Sequence, residues 1–166
     1  MSLCFQLLFC TKVYIVMAHS DVGGQGLPCA FALLPNKKQE TYTLMLKLIK
    51  KKVSSSPTMI ITDFEQAVFN AIAAVYPDSQ HIGCQFHYRS AVWKNVGDKG
   101  LQSLFYSNMD FQELVYKLYA LSYVPTQDLY TIYRKQIVST IASKLADDDG
   151  DDEWLEYREE INSFGS

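Results

Sequence analysis

Hydrophobic periodicity changes at Pro35, and this change limits the folds open to the chain more than any other feature. Before it, residues 3–10, 12–18 and 27–35 are short apolar runs rich in β-branched and aromatic residues, a pattern typical of buried strands. A glycine-rich segment at residues 20–26 separates the last two runs and predicts a turn. The sequence therefore predicts that the chain opens with consecutive strands in an antiparallel meander.

Downstream of that point, helical and strand patterns alternate. Residues 35–52 predict a helix, residues 58–63 a short buried strand, and residues 64–77 a second amphipathic helix. Residues 81–87 predict a brief strand or strand end, and residues 88–101 a further helix. The inward-facing side chains predicted for the first two helices are Tyr42, Met45, Leu46, Leu48, Ile49, Phe64, Val68, Ala71, Ile72 and Val75.

The rest of the chain is helical in pattern over residues 101–145. Residues 147–153 hold six acids in seven positions, whose mutual repulsion favours a solvated loop. The predicted fold class is α/β. We predict a core domain over residues 1–100, a helical continuation over 101–146, and an acidic loop with a C-terminal tail over 147–166.

Charge and composition narrow the classes of function. The chain has 15 basic and 18 acidic residues and a formal charge of −3, so it lacks the basic excess of a protein that grips DNA unaided. Its hydrophobic fraction of 48% excludes global disorder. Lysines at 47 and 50–52 either meet the negative end of a helix dipole or form a basic patch that faces DNA.

The apolar N-terminal stretch, residues 1–17, resembles a secretory signal only superficially. It has no basic start, Gln6 and Lys12 interrupt it, and it is too short to span a bilayer. We therefore expect core strands, no membrane partner and no secretion. Cysteines within apolar runs predict small buried residues in a reducing compartment; they are Cys4, Cys10 and Cys29.

Asp63 is the first candidate for chemistry, because it ends the predicted strand at residues 58–63. An acid at the carboxyl end of a strand lies where α/β sheets bind their ligands. Alternatively, Asp63 accepts hydrogen bonds from the first N–H groups of a helix that begins at Phe64. Glu65 is expected to be solvated beside the positive end of that helix.

The second candidate is the motif Cys84-x-x-His87. A cysteine and a histidine at this spacing can both reach one Zn²⁺, whereas a structural zinc site needs four ligands. The alternative is a buried cysteine beside a hydrogen-bonded histidine. A small zinc-binding domain therefore stays open as a function, although two ligands alone do not predict bound zinc.

Aromatic residues between positions 105 and 133 form the third candidate. Aromatic side chains interleaved with basic ones stack on nucleic acid. Helical spacing, and the few basic residues over 101–125, instead favour a place in the hydrophobic core. These residues are Phe105, Tyr106, Phe111, Tyr116, Tyr119, Tyr123, Tyr130 and Tyr133.

Three ordered segments carry a family resemblance. They are LPCAFALLPNKKQETY at 27–42, MIITDFEQAVFNAIAAVYPDSQHIGCQFH at 59–87 and YRSAVWKNVGDKGL at 88–101. Each motif alone is common, but the ordered set with these gaps resembles the Mutator-like element (MULE) transposase domain. The resemblance implies an RNase H-like core with a mixed sheet, whose chemistry uses three acidic residues and two divalent cations.

The resemblance also implies roles for single residues. Asp63 matches the second acid of the family and would be a Mg²⁺ ligand. Cys84 and His87 match the family's C-x-x-H, which implies a structural or site-supporting role. The family's first acid would fall just before Met1, and Asp21, in the glycine-rich turn, is the one nearby aspartate.

The third acid has two possible positions. One alignment places it where Arg134 stands, so that arginine would have replaced glutamate. The segment WLEYREEINSFG instead resembles a later family segment and points to Glu159 as a catalytic residue. Because Mg²⁺ dehydrates reluctantly and needs more than one anchoring group, a single carboxylate does not hold two such ions.

The expected function follows from these departures. The chain is expected to be a MULE-type core with the ancestry of DDE transposases, which cleave DNA and transfer strands. DNA is the ancestral partner and Mg²⁺ the ancestral cofactor, and we expect activity to be lost through truncation or domestication. Its location would be the nucleus or the cytoplasm. A non-catalytic module that binds protein or DNA is the alternative.

Overall fold

Two compact units make up the chain: unit 1, Met1–Gly83, and unit 2, Cys84–Ser166. A computed structural model describes residues 12–19, 26–146, 154 and 157–164. The limit predicted near residue 100 for the family core stays a prediction. Features predicted from the sequence that lie outside the described residues are the strand at 3–10, Asp21, the acidic run at 147–153, Cys4 and Cys10.

Strands β1 (Lys12–His19) and β2 (Gly26–Leu34) pair antiparallel, which confirms the two predicted strands in this region. Ile15 is opposite Phe31 in the ladder, and the register shifts between Val16 and Met17. Alternate residues of each strand point to opposite faces. One face therefore packs inward through residues such as Tyr14 and Ala32, and the other is exposed.

Strands β3 (Met59–Thr62) and β4 (Gln80–Gly83) pair in parallel and are joined through helix α2 (Gln66–Val75). A parallel pair needs such a crossover, and the βαβ order agrees with the predicted α/β class. The described strands pair as two separate two-stranded sheets, β1–β2 and β3–β4. The single mixed sheet of an RNase H-like core stays a prediction.

Helix α1 (Gln39–Lys50) packs against α2, and their apolar faces form the core of unit 1. Lys50 Nζ donates to the carbonyl oxygen of Val75 at 2.6 Å and lies 5.0 Å from the ring centroid of Tyr76, which ties the end of α1 to α2. The buried members of this core are Leu34, Tyr42, Met45, Leu46, Val68, Ala71, Ile72, Val75 and Tyr76.

Three side chains predicted to be buried are exposed. Leu48 falls beside the buried stripe of α1 at 100° per residue and is 55% exposed. Phe64 precedes α2 instead of lying within it, and it is 59% exposed. Cys29 is exposed because it shares the outward face of β2 with Phe31.

Unit 2 is helical, as predicted for residues 101–145. The described helices of unit 2 are α3 (Gln85–Asp98), α4 (Gln102–Ser107), α5 (Met109–Ala120), α6 (Thr126–Tyr133), α7 (Ser139–Ala146) and α8 (Arg158–Phe164). Helix α5 is capped by Asn108, whose Oδ1 accepts from the backbone N of Phe111 at 3.0 Å and from Nε1 of the buried Trp154 at 3.2 Å.

Two further short helical segments lie in the described part of unit 2. A 3₁₀ turn spans Leu121–Tyr123, and a π-helical segment spans Arg134–Val138 between α6 and α7. Ser139 Oγ donates to the carbonyl oxygen of Arg134 at 3.0 Å, five residues back, which supports the wider turn. Within the described part of the chain, no helix is both long and apolar enough to cross a membrane.

Candidate active site

Asp63 directly follows β3, at the carboxyl end of the parallel pair β3–β4. The same end of β4 is formed by Gly83, the ladder partner of Thr62. Asp63 is half-buried. Its position is the one at which open α/β sheets place ligand-binding groups.

Helix capping does not account for Asp63. Helix α2 begins at Gln66, not Phe64, and its N-cap residue is Glu65. Glu65 has extended backbone angles and makes no side-chain cap. The alternative interpretation of Asp63 as the cap of this helix is therefore wrong, because two residues separate it from the first helical turn.

Tyr14 on β1 lies close enough to Asp63 for their charges to interact. Burial raises the pKa of the Tyr14 hydroxyl, and the negative charge of Asp63 raises it further. The tyrosine is therefore protonated at neutral pH. Its ring also packs against Tyr42, with 5.7 Å between centroids.

Glu65 is held by two side chains instead of being solvated, which corrects the prediction. Its Oε1 accepts from the hydroxyl of Tyr42 at 2.8 Å, and its Oε2 lies 3.1 Å from the Nζ of Lys12. Lys12 also donates to the Tyr42 hydroxyl at 3.4 Å. The side chains of Lys12 and Glu65 are only 24% and 21% exposed. We call these three residues the Lys12–Tyr42–Glu65 triad.

Opposing effects set the pKa values within this triad. Burial acts to raise the pKa of Glu65, but the hydrogen bonds from Tyr42 and Lys12 lower it by more, so the net shift is downward. Burial acts to lower the pKa of Lys12, and its bonds to Glu65 and Tyr42 raise it overall. At neutral pH the triad therefore holds an ion pair.

Thr62 and His81 join the two parallel strands just before Asp63. Thr62 Oγ1 donates to the backbone carbonyl of Asp63 at 3.0 Å and is hydrogen-bonded to Nε2 of His81 at 2.8 Å. The imidazole also lies against the ring of Phe69, with centroids 4.0 Å apart. Burial lowers the pKa of His81, so the ring is neutral near pH 7.

Phe64 covers Gly83 at this end of the sheet. A Cβ atom at residue 83 would meet the far end of the Phe64 ring, so a larger residue there would require this exposed ring to shift. Phe64 also stacks on Phe69, with 6.4 Å between centroids.

Cys84 and His87 belong to unit 2. Cys84 is the N-cap residue of α3, half-buried and with a free thiol. His87 is exposed on the first turn of α3, and its ring meets Phe86 edge-on at 5.7 Å. The alternative interpretation, a buried cysteine beside a hydrogen-bonded histidine, is therefore wrong, because Cys84 is only half-buried and His87 is exposed.

The two positions considered for a third acid are both exposed and both in unit 2. Glu159 lies in the first turn of α8, and Arg134 begins the π-helical segment. Among the residues that the structure describes, no three side chains of His, Cys, Asp or Glu are grouped so as to hold a metal ion.

The aromatic residues of unit 2 divide between core and surface. Phe105 and Phe111 are buried, which confirms the core interpretation for them. Tyr119 and Tyr133 are half-buried and pack against that core. For the others the core interpretation is wrong, since more than half of each side chain is exposed; they are Tyr106, Tyr116, Tyr123 and Tyr130.

Sequence reasoning missed the residues that surround Asp63. Lys12 and Glu65 are 53 positions apart, and no local pattern couples them. The available signal for this contact is Lys12, a lone lysine at the start of an apolar run. A charged residue that points inward from a strand needs a partner.

One comparison with known proteins gives a match. A family model described as the MULE transposase domain matches residues 9–91, half of the 166-residue chain. The matched residues include Asp63, Cys84 and His87 but neither Arg134 nor Glu159. No curated protein and no solved structure matches the chain.

Proposed function

The chain belongs to the MULE transposase domain family, and from this premise we propose that it is a transposase core that has lost catalysis. Its ancestral reaction is divalent-metal-dependent cleavage and strand transfer of DNA in the nucleus. Asp63 is the member of the ancestral acidic set that lies within the family match, and Cys84 and His87 match the family's C-x-x-H.

The position of Asp63 carries this proposal. It follows a short strand of a βαβ unit, where a carboxylate can face a ligand beyond the sheet, and helix capping does not explain it. The family match spans this residue and both neighbouring strands. Glu159 lies outside the match, and so its part in the acidic set rests on the resemblance alone.

The residues described at the end of β3 do not fit a two-metal centre. Mg²⁺ needs several oxygen ligands in octahedral geometry. Asp63 offers one carboxylate, whereas both oxygens of Glu65 are already engaged by Tyr42 and Lys12. The Lys12 ammonium also places a positive charge next to Glu65. A divalent cation bound by Glu65 would have to displace this ammonium.

A cleavage assay tests the loss of catalysis. With Mg²⁺ or Mn²⁺ and a DNA duplex that carries terminal repeats, the purified chain should give no cleavage and no strand transfer. Asp63→Asn should therefore leave the result unchanged. Metal-dependent cleavage that Asp63→Asn abolishes would contradict the proposal, and it would show that further acids complete the site.

A non-catalytic interaction module is the second candidate, and one observation favours it. The outward face of the β1–β2 hairpin exposes a run of large apolar side chains, and patches of this kind mark binding surfaces. Their exposed fractions range from 49% to 67%; the residues are Val13, Ile15, Met17, Phe31 and Leu33.

A further inference from the structure

An open groove lies between the first half of α3 and the end of α5 in unit 2. Its volume is about 460 Å³, and it is open to solvent along one side. The second half of α3 packs into the core through Val92 and Val96, whereas Phe86 and Arg89 in its first half are exposed. The groove is lined by Gln85, Phe86, Arg89, Ser90, Trp93 and Tyr119.

Flat side chains with fixed orientations form the walls. The guanidinium carbon of Arg89 lies 4.7 Å from the ring centroid of Tyr119, so the cation stacks on the aromatic face. Trp93 packs edge-on against Phe105 at 5.0 Å and against Tyr106 at 6.2 Å. These contacts hold the walls in place before any ligand enters.

Phe86 stands at the rim of the groove with 72% of its surface exposed. It is not among the side chains that form or pack against the hydrophobic core of unit 2. Its ring is therefore accessible to a flat apolar ligand.

The groove combines the features that a nucleobase requires. Phe86 and Trp93 offer aromatic surface, and Arg89, which is stacked on Tyr119, offers a planar cation that can also meet a phosphate. Gln85 and Ser90 offer polar groups, and Gln85 is oriented by its hydrogen bond to Tyr123. The six lining residues include no acid, which suits an anionic polymer.

We propose that this groove binds an unpaired base of single-stranded DNA. The faces of paired bases are covered by their neighbours in a duplex, so only an unstacked base can enter between side chains. The inference rests on the proposed function only in taking the polymer to be DNA. It names a binding site in unit 2, separate in sequence from Asp63.

Fluorescence anisotropy of a labelled ten-nucleotide thymidine strand, with the full chain in EDTA, tests the proposal. Phe86→Ala should weaken binding roughly 5- to 150-fold, the range found when stacking on one base is removed. Arg89→Lys should weaken binding nearly as much as Arg89→Ala, because lysine keeps the charge but not the planar stack. Met109→Ala, which removes an apolar side chain 85% exposed at the start of α5, is the control and should bind as the parent does.

An abasic strand of equal length separates stacking from charge. It should bind more weakly than the thymidine strand, since its phosphates alone remain. Equal binding of the two strands, or unchanged binding by Phe86→Ala, would overturn the proposal. Binding of a proline-rich peptide that Phe86→Ala abolishes, without binding of the strand, would also overturn it.

The assay is independent of catalysis. Because EDTA removes divalent cations, cleavage cannot contribute to the signal. If the cleavage assay finds activity that depends on Asp63, the proposed loss of catalysis fails while the groove result stands. If Phe86→Ala changes nothing, the groove proposal fails and the family's transposase function is untouched.

Discussion

Glu65 draws its partners from distant parts of unit 1, Lys12 at the start of β1 and Tyr42 on α1. The carboxylate replaces water with two protein hydrogen bonds, and both are charge-assisted because the acceptor is ionised. A glutamate beside a helix N-terminus would ordinarily be read as a solvated residue. In this chain it joins the strand β1 to the layer formed by α1 and α2.

The triad predicts how stability depends on pH. The folded-state pKa of Glu65 is lowered, so its contribution is present above its ordinary pKa and is lost as pH falls through the folded value. The folded-state pKa of Lys12 is raised, so its contribution is present below its ordinary pKa and is lost as pH rises through the folded value.

Glu65→Gln tests this dependence by urea unfolding between pH 3 and pH 8. At pH 7 the parent should be more stable by about 1–3 kcal/mol, because a charge-assisted bond in a mostly buried pair is lost. The difference should shrink toward the acid end, as the pH falls toward the lowered pKa of Glu65 in the folded state. Glu40→Gln, an exposed acid in the first turn of α1, is the control. A difference that stays constant with pH would contradict the role given to the ion pair.

Element by element, local pattern predicted most of the described fold. The strand ending at Asp63 and the helix after it follow from short-range periodicity, and both are present. The predicted inward positions of Phe64 and Leu48 are wrong. Phe64 precedes α2, which begins at Gln66, and Leu48 lies beside the buried stripe of α1. The Lys12–Glu65 contact could not be predicted, since a bond between residues 53 positions apart depends on how the layers pack.

Helix α5 offers a test at the scale of an element. Asn108→Ala removes both the cap on Phe111 and the acceptor for Trp154, and it should cost about 1–3 kcal/mol of unfolding free energy. Asn108→Asp should cost less, because aspartate is also a good cap. Thermal unfolding followed by circular dichroism measures both. Thr126→Ala, at an exposed position in the first turn of α6, is the control; an equal loss there would contradict the capping argument.

The molecule combines a helical unit with an α/β unit in which one face of the β1–β2 hairpin packs inward and the other face is exposed. The hairpin face described above leaves cross-strand neighbours such as Ile15 and Phe31 in solvent, 49% and 67% exposed. Burial of a side chain of this size contributes about 1.5–3 kcal/mol, so the face favours association with another apolar surface. The chain should therefore self-associate at high concentration unless a partner covers the hairpin.

The double variant Ile15→Thr, Phe31→Thr tests this expectation by sedimentation velocity and by binding of an apolar dye. Threonine keeps the preference for strand, so the hairpin should persist. Self-association should weaken by about tenfold or more, given the apolar area removed. Leu44→Thr, a change at a side chain 61% exposed on α1, is the control and should have little effect. Unchanged association in the double variant would exclude this face.

Both tryptophans of the chain, Trp93 and Trp154, lie in unit 2. Trp154 is 1% exposed and hydrogen-bonded to Asn108, whereas Trp93 borders an open groove. Tryptophan emission therefore reports on the helical unit and gives no signal from the unit that holds Asp63. A melting curve recorded by tryptophan fluorescence would overlook the loss of β1–β4, and tyrosine absorbance or amide signals are the observables that would register it.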